Sequence, residues 1–298
     1  MPKLLVTGGS GMLGSYVASQ AASTGWETVV TYSTHAPDLP SCEKISLDIR
    51  EIEAAEKALA DLRPDVVIHT AAIAKPNICE ERKMDAFQTN VLGTYNMVRA
   101  AEKVSAHFIQ ISTDMVFSGE KNPLRTDDQI APPNYYGLTK AAAEAAVNAS
   151  STSTAIVRTS VIYGPRKFPH LDSFSDKVIE NLRNGQPMQA YIDQTRPAVP
   201  AWNLAEVLLE IAERRLTGTF HAVCPEPSTR LQFAKRIARE FGFDESLLSP
   251  IYMDETTSNA GRPKILVLDT ISTQRALNTR LLGFEEGIRA LKERMKKG

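Results

Sequence analysis

The chain has 298 residues, with 34 Lys and Arg against 35 Asp and Glu, and a formal net charge of −1. This length allows a large core in one two-lobed unit or in two closely packed domains. The balanced charge gives no basic surface of the kind that binds nucleic acid or anionic membranes, so neither is an expected partner.

Targeting and metal signals are absent from the sequence pattern. No apolar run reaches the length of a membrane span, and the N-terminus has no signal-peptide pattern. Cys42, Cys79 and Cys224 are an odd number and widely spaced, which is typical of a reducing compartment. We therefore expect a cytoplasmic location. Because no Cys/His cluster has metal-ligand spacing, no metal site is predicted.

Short β-type runs alternate with helical stretches over the first half of the chain. The predicted strands are KLLVT (3–7), ETVVTY (27–32), KISLD (44–48), DVVIHT (65–70), HFIQIS (107–112) and TAIVRTS (154–160). Helices are predicted over 12–23, 51–62, 78–104 (continuous or broken) and 136–150. Strands that are apolar for most of their length belong to parallel sheets covered by helices. The alternation predicts an α/β fold with a Rossmann doubly wound parallel sheet.

The first predicted strand leads into the glycine-rich segment VTGGSGMLG (6–14). A lone GxxGxxG is weak evidence, but here it follows a predicted strand and opens a predicted helix with Met12 and Leu13. Gly8 permits a tight turn, Gly11 lets the backbone approach a pyrophosphate, and Gly14 allows close packing of helix and strand. The unpaired N–H groups of the helix start favour phosphate binding. The segment therefore predicts a dinucleotide site.

The end of the second predicted strand bears on which dinucleotide binds. A carboxylate there contacts the adenosine ribose in NAD sites. This chain has TYSTH (31–35), with hydroxyls at Ser33 and Thr34 and no acid. NADP(H) is therefore favoured over NAD(H), although no arginine stands in the same stretch.

A tyrosine and a lysine one helical turn apart form the candidate catalytic pair. In YYGLTK (135–140), Tyr136 and Lys140 lie on one helix face. A nearby ammonium, together with an oxidised nicotinamide, is expected to lower the tyrosine pKa. Upstream, IQISTDMVF (109–117) ends a buried strand with Thr113, at the sheet edge where ligands bind. The alternative is that Tyr136 and Lys140 form an ordinary solvated pair.

Together the segments TGGSGMLG, HTAA (69–72), NVLGT (90–94), STDMVF, YGLTK and RTSVIYGP resemble the extended short-chain dehydrogenase/reductases. Within that family, STDxVF, DQ (193–194) and GRP (261–263) are similar to the dTDP-4-dehydrorhamnose reductases. The resemblance covers essentially the whole chain. It implies hydride transfer from NAD(P)H to a nucleotide-linked 4-keto-6-deoxy sugar, with the catalytic triad Thr113, Tyr136 and Lys140.

The same resemblance implies further cofactor contacts. The adenine lies beside Asp48 and Ile49, the ribose and nicotinamide side is lined by Ala71, Ala72 and Ala74, and Asn90 supports the site. With these contacts, residues 1–163 are expected to form the NAD(P)-binding core. Residues 164–298, where prolines are frequent, are expected to form mainly a smaller C-terminal substrate-binding lobe, with returning elements packed on the core.

The expected substrate residues depart in part from the family pattern. Met115 and Val161 stand where the resemblance implies tyrosine and tryptophan against the sugar. These substitutions leave the specific sugar open, or simply repack a pocket of similar volume. The remaining substrate residues are expected to be Gln194, Arg196 and Arg262. Arg196 suits a nucleotide diphosphate, the alternative being a surface arginine in a proline-rich loop.

The preferred hypothesis is an NADP(H)-dependent reductase in which Tyr136 is the general acid and the substrate is a nucleotide sugar or other phosphorylated ketone. One alternative is an NADP-binding regulatory subunit resembling the methionine adenosyltransferase β subunit. The other is an NAD-dependent sugar-nucleotide epimerase or dehydratase, which is disfavoured as a dehydratase because Met115 follows Asp114 where an acidic pair is expected. The resemblance also implies a homodimer formed by a four-helix bundle of helices around 84–103 and 136–150.

Overall fold

Seven parallel strands form the central sheet of the protein, for which a computed structural model describes residues 1–256 and 260–297. The elements of the first half are, in chain order, β1 (Lys3–Thr7), α1 (Met12–Ser23), β2 (Glu27–Tyr32), β3 (Glu43–Ser46), α2 (Ile52–Leu62), β4 (Val66–His69), α3 (Pro76–Glu81), α4 (Lys83–Phe87), α5 (Gly93–Lys103), β5 (His107–Thr113), α6 (Tyr135–Asn148) and β6 (Thr154–Thr159). A π-helix, Gln88–Leu92, joins α4 to α5, and a 3-10 helix, Asp114–Val116, follows β5.

Short strands and helices make up the second half. In chain order they are β7 (Val161–Tyr163), α7 (Phe174–Arg183), β8 (Met188–Tyr191), β9 (Thr195–Arg196), β10 (Ala198–Pro200), α8 (Ala201–Glu213), β11 (Gly218–His221), β12 (Ser228–Thr229), α9 (Arg230–Phe241), β13 (Leu248–Ile251), α10 (Ile271–Ala276) and α11 (Phe284–Lys297). The 3-10 helices Glu245–Leu247 and Met253–Glu255 flank β13. Small two-stranded sheets pair β7 with β10, β9 with β12 and β8 with β13.

The strand order of the central sheet is β3-β2-β1-β4-β5-β6-β11, and all neighbours are parallel. The chain winds outwards from the middle in both directions, so the strand order reverses between β1 and β4. A crevice opens at the carboxyl ends of the strands at such a point. This Rossmann-type sheet confirms the predicted fold class.

Alternate residues of β1 enter the two cores that cover the sheet. Leu4 and Val6 pack in a cluster with Leu208 of α8, whereas Leu5 packs in a second cluster with Leu59 of α2 and Met97 of α5. All six side chains are inaccessible to solvent. Burial on both faces explains the nearly continuous apolar sequence of β1.

The observed elements agree with the predicted ones except at one helix. Each of the six predicted strands is present with its ends within two residues, and α1 and α2 match. The predicted helix over 78–104 is broken instead into α3, α4, the π-helix and α5. The break occurs because Arg82 leaves helical geometry, with φ −123° and ψ 58°.

Elements of the second half return to the central sheet. β11 pairs in parallel with β6 at the sheet edge, and α8 packs against α1. The division of the chain at residue 163 stays a prediction. Within the described residues, no helix is both long and apolar enough to cross a membrane.

Candidate functional site

The glycine turn joins β1 to α1 and requires glycine at two positions. Gly8 has φ +71°, and a β-carbon there would lie 2.9 Å from the Cα of Ala71. A β-carbon on Gly14 would collide with the carbonyl oxygen of Gly8. The N–H of Gly11 donates to that same oxygen at 2.9 Å. The turn therefore holds the start of α1 directly against the end of β1.

The first turn of α1 is open to an anionic ligand. Gly11 is its N-cap, and no side chain of the described residues caps its N–H groups or adds an acid to its first turn. Gly11, Met12, Leu13 and Gly14 line a cleft of about 510 Å³. Free N–H groups and the positive end of the helix dipole suit the pyrophosphate of a nicotinamide dinucleotide. The residues present therefore fit that cofactor.

The predicted catalytic residues enter the same cleft from two elements. Thr113 ends β5, and Tyr136 and Lys140 lie on the first turns of α6. The side chain of Asn134 caps α6 by accepting a hydrogen bond from the N–H of Gly137 at 2.9 Å. A β-carbon on Gly137 would overlap the carbonyl oxygen of Met115, so glycine lets α6 start against the end of β5.

Burial shifts the pKa values of both helix residues. It raises the pKa of the Tyr136 phenol, while hydrogen bonding to Thr113 acts in the opposite direction. The expected lowering of this pKa depends on an oxidised nicotinamide and stays a prediction; among the contributions from the chain itself, burial is the largest. Burial also lowers the pKa of Lys140 from 10.5 to about 8. The Lys140 ammonium donates no hydrogen bond to the residues described, so it is available to a ligand.

Asn90 of the π-helix connects two segments of the site by side-chain hydrogen bonds. Its Oδ1 accepts from the N–H of Ile73 at 2.8 Å, and its Nδ2 donates to the Ile73 carbonyl and to Thr139 Oγ1, both at 3.0 Å. Asn90 is fully buried. Because Thr139 precedes Lys140 on α6, these bonds join the loop after β4 to the helix that carries the candidate catalytic residues.

The carboxylate of Asp114, the residue after Thr113, accepts hydrogen bonds from several side chains. Its Oδ2 accepts from Ser160 Oγ at 2.6 Å and pairs with Arg196 Nη1 at 3.3 Å. Thr113 Oγ1 donates to its Oδ1 at 3.1 Å. Arg196 also donates to the carbonyl of Pro263 at 3.0 Å. Arg196 is thus a buried, ion-paired side chain in the cleft wall and not a surface residue, while its diphosphate contact stays a prediction.

The cleft contains most of the predicted site residues. The members among its lining are Gly11, Met12, Leu13, Gly14, Ala72, Ala74, Thr113, Met115, Tyr136, Lys140, Val161, Gln194, Arg196 and Arg262. The other predicted residues lie outside that lining: Gly8, Ser33, Thr34, Asp48, Ile49, Ala71 and Asn90. Their roles toward a cofactor stay predictions.

Two pairs of predicted cofactor residues outside the cleft, Ser33 with Thr34 and Asp48 with Ile49, differ in their surroundings. Ser33 and Thr34 are exposed directly after β2. Asp48 forms an exposed pair with Arg50, whose guanidinium lowers the pKa of that carboxyl. Ile49 is buried, and a β-carbon on Gly93 would collide with it.

Residues that were not selected from the sequence also line or border the site. Arg230 at the start of α9 lines the cleft. Beyond β2, the His35 ring stacks on His170 at 5.2 Å, and His170 Nε2 lies 2.9 Å from the carbonyl oxygen of Ser10 in the glycine turn. These contacts join segments far apart in the chain, so no local sequence pattern predicts them.

Comparison with known proteins identifies a family match over nearly the whole chain. Residues 2–297 match the model of the RmlD substrate binding domain. Methionine adenosyltransferase 2 subunit beta of Mus musculus is 31% identical over 274 residues, which cover 90% of this chain and 80% of that protein. A probable low-salt glycan biosynthesis reductase of Haloferax volcanii is 29% identical over 288 residues, which cover 96% of each chain.

A solved structure shows the same architecture. The dTDP-4-dehydrorhamnose reductase of Clostridium acetobutylicum superimposes with a TM-score of 0.85 at 29% identity, covering 99% of both chains.

Proposed function

Because this chain belongs to the RmlD substrate binding domain family of the extended short-chain dehydrogenase/reductases, we propose that it is an NADPH-dependent reductase of a nucleotide-activated 4-keto-6-deoxy sugar. The similar proteins include a probable glycan biosynthesis reductase and a dTDP-4-dehydrorhamnose reductase, which supports an NAD(P)-dependent oxidoreductase. The direction of the reaction, the identity of the sugar and the preference for NADPH are parts of this proposal.

One observation carries the proposal. The glycine turn, Thr113, Tyr136 and Lys140 come from β1, β5 and α6, yet all border one cleft at the carboxyl edge of the sheet. The glycine turn would hold the pyrophosphate of a nicotinamide dinucleotide, which would supply a hydride to a carbonyl in the same cleft. The arrangement suits reduction of a carbonyl placed between Thr113 and Tyr136.

Thr113, Tyr136 and Lys140 have separate roles in the proposed reduction. The bound nicotinamide supplies the hydride. Tyr136 donates its phenolic proton to the carbonyl oxygen. The Thr113 hydroxyl, which donates to Asp114 Oδ1 in the absence of substrate, rotates to donate a hydrogen bond to the same carbonyl oxygen. A raised pKa keeps Tyr136 protonated at neutral pH, which suits the reductive direction. Lys140 holds the cofactor ribose and stabilises the tyrosinate formed as the proton leaves.

The substrate assignment rests on the remaining lining of the cleft. Met115 and Val161 offer apolar contacts to the sugar in place of aromatic rings. Gln194, Arg196 and Arg262 line the same cleft, and two guanidinium groups in its wall favour an anionic substrate. We therefore assign a nucleotide-linked ketosugar as the class of substrate, without requiring it to be dTDP-4-dehydrorhamnose.

The NADPH preference rests on the end of β2. Exposed Ser33 and Thr34 offer hydroxyl donors there, and residues 31–37 contain no carboxylate to repel a 2′-phosphate. His35 and His170 add two imidazoles beside the glycine turn. NADPH is therefore expected to bind more tightly than NADH.

A panel of nucleotide-linked 4-keto-6-deoxy sugars with NADPH tests the proposal, with oxidation followed at the nicotinamide absorbance band. Turnover that depends on Tyr136 supports it. A protein that reduces no member of the panel, or that reduces phosphate-free ketones equally well, contradicts it.

A second candidate is a regulatory role. The 31% identity to a methionine adenosyltransferase β subunit favours it. In that case the protein would bind a methionine adenosyltransferase catalytic subunit and alter its kinetics, with no need for Tyr136. Co-purification with that subunit, together with full regulatory effect of Tyr136→Phe, separates this role from reduction.

A homodimer is also proposed. Large apolar side chains are exposed on the helices expected to pair: Met84 and Phe87 of α4, Tyr95 of α5 and Leu138 of α6. An apolar surface on neighbouring helices is typical of an interface. Sedimentation velocity tests it, since Leu138→Glu and Tyr95→Glu are expected to shift a dimer to a monomer.

A further inference from the structure

A buried carboxylate lies one helical turn beyond Lys140 on α6. Glu144 is 1% exposed and Lys140 is 3% exposed, and the two share a helix face because they are four residues apart. Lys140 lines the cleft, whereas the hydrogen-bond partners of Glu144 lie on the central sheet. The proposed reduction gives this carboxylate no role.

Three hydrogen bonds hold the Glu144 carboxylate against the sheet. Its Oε1 accepts from Ser112 Oγ at 2.5 Å and from Arg158 Nε at 3.0 Å, and its Oε2 accepts from Arg158 Nη2 at 2.7 Å. Ser112 and Arg158 are paired residues of β5 and β6, and Ser112 directly precedes Thr113. The carboxylate therefore fixes α6 to the end of the strand that carries Thr113.

Arg158 has a partner for each part of its guanidinium. Besides the two bonds to Glu144, its Nη1 donates to the carbonyl oxygen of Thr126 at 3.0 Å, and the group lies 4.9 Å from the centre of the Phe117 ring. A buried ion pair often contributes no more stability than apolar side chains of similar volume. Stability alone is therefore a weak reason for a charged pair at this position.

Glu144 acts electrostatically on Lys140, which has no ion-pair partner among the residues that the structure describes. Burial lowers the pKa of Lys140, and of the neighbouring groups the carboxylate of Glu144 opposes this shift most strongly. Two other titratable groups near Lys140 are neutral at pH 7, because burial lowers the pKa of His69 to about 3 and raises the pKa of the Cys79 thiol to about 11.

The ionisable groups on the cleft side of Lys140 offer no comparable charge. Tyr136 keeps its proton because burial raises its pKa, and the Asp114 carboxylate is already paired with Arg196. Glu144 is therefore the group best placed to favour a protonated Lys140.

We propose that Glu144 is a positioning residue that keeps the Lys140 side chain in its ammonium form beside the cofactor. Ser112 and Arg158 hold the carboxylate in place, and the ammonium in turn binds the cofactor ribose and stabilises the tyrosinate of Tyr136. A neutral amine has no charge with which to stabilise a phenolate. This inference rests on the proposed function and adds to it a residue outside the cleft.

NMR titration of the cofactor-free protein, labelled with [ε-¹³C]lysine, tests the proposal. The Lys140 signal, identified by its absence in Lys140→Met, is expected to titrate near pH 8 in the wild type. Glu144→Gln is expected to lower this midpoint by about 1 pH unit, because it removes an opposite charge at close range. Glu144→Asp keeps the charge and is expected to restore most of the shift. Glu180→Gln, at an exposed acid of α7, should leave the midpoint unchanged.

Two variants of Arg158 separate charge from packing. Glu144→Gln leaves Arg158 buried without its anion, which can prevent folding. The double variant Glu144→Gln with Arg158→Met removes both charges, and it is expected to fold and to lower the midpoint as Glu144→Gln does. Arg158→Met alone keeps the carboxylate and is expected to leave the midpoint unchanged or to raise it. A lowered midpoint in Arg158→Met, or an unchanged one in the double variant, overturns the proposal.

The affinity for NADP⁺ at two pH values is a second measurement. Where only the ammonium form binds the ribose, the apparent Kd is inversely proportional to the protonated fraction of Lys140. At pH 8 this fraction falls from about one half to about one tenth when the midpoint falls by about 1 pH unit. The double variant should therefore bind NADP⁺ about 5-fold more weakly than the wild type at pH 8, and nearly equally at pH 6. An equal loss of affinity at both pH values indicates a structural defect and contradicts the proposal.

The outcomes separate this inference from the proposed function. A midpoint that depends on Glu144, in a protein that reduces no ketosugar, supports the inference and contradicts the proposed function. Reduction of a nucleotide sugar by a protein whose Lys140 midpoint is the same with and without Glu144 supports the function and overturns the inference.

Discussion

Replacing Lys140 by methionine is expected to stabilise the protein while it removes activity. Lys140 is 3% exposed, and its pKa falls from 10.5 to about 8 in the folded protein. A shift of this size corresponds to about 3 kcal/mol of unfolding free energy lost by keeping a buried ammonium at pH 7. Methionine conserves most of the aliphatic stem without the charge, so Lys140→Met is expected to gain about 3 kcal/mol. For a chain of this length, that gain raises Tm by about 5 °C.

The gain is expected to depend on pH with a definite sign. Between pH 8 and 10.5 the unfolded chain binds the Lys140 proton more tightly than the folded protein, so wild-type stability rises with pH in this window. Lys140→Met has no such titration. Its advantage should therefore fall from about 3 kcal/mol at pH 7 to less than about 1 kcal/mol at pH 10.

Urea unfolding of both proteins without cofactor, at pH 7 and pH 10, measures this difference. Lys103→Met is a matched control, because Lys103 is an exposed partner of Glu56, and its effect should stay within about 0.5 kcal/mol. In the same preparations, Lys140→Met should bind NADPH more weakly. A variant less stable than the wild type at pH 7, or an advantage that is equal at both pH values, would refute the reasoning.

The remaining predictions concern chemistry, cofactor and packing. Tyr136→Phe should lower kcat about 10²- to 10⁴-fold with NADPH affinity nearly unchanged, whereas Tyr135→Phe, measured in the same absorbance assay, should retain activity. Tyr32→Asp places a carboxylate at the end of β2 and should reverse the preference for NADPH over NADH in fluorescence titrations; tighter NADH binding by the wild type contradicts the NADPH assignment. Arg196→Ala should raise KM about 10- to 100-fold. Because it also leaves Asp114 buried without its cation, it should cost about 3–5 kcal/mol in urea unfolding; unchanged stability would mean that the pair contributes little.

The parts of this protein that follow local rules were predictable from the sequence. The alternation of apolar strands and helices predicts the doubly wound sheet, and the spacing of Gly8, Gly11 and Gly14 predicts the turn between β1 and α1. Tyr136 and Lys140 share a face because they are four residues apart on α6. Thr113 reaches the same cleft since parallel strands present their carboxyl ends at one edge of the sheet.

Contacts between distant segments were decided by the tertiary structure alone. The break at Arg82 and the π-helix bring Asn90 to Ile73 and Thr139. Arg196 pairs with Asp114, 82 positions away.

Local features could be predicted from the sequence and long-range contacts could not, and Arg230 and the pKa of Tyr136 show the physical reason. The strand-turn-helix rules act between residues a few positions apart, so they can be read along the chain. Whether an arginine meets a carboxylate, or a phenol is shielded from water, depends on which elements pack around it. The sequence by itself therefore determined the sheet, the glycine turn and the candidate catalytic residues, while folding alone decided that Arg230 lines the same cleft as Tyr136.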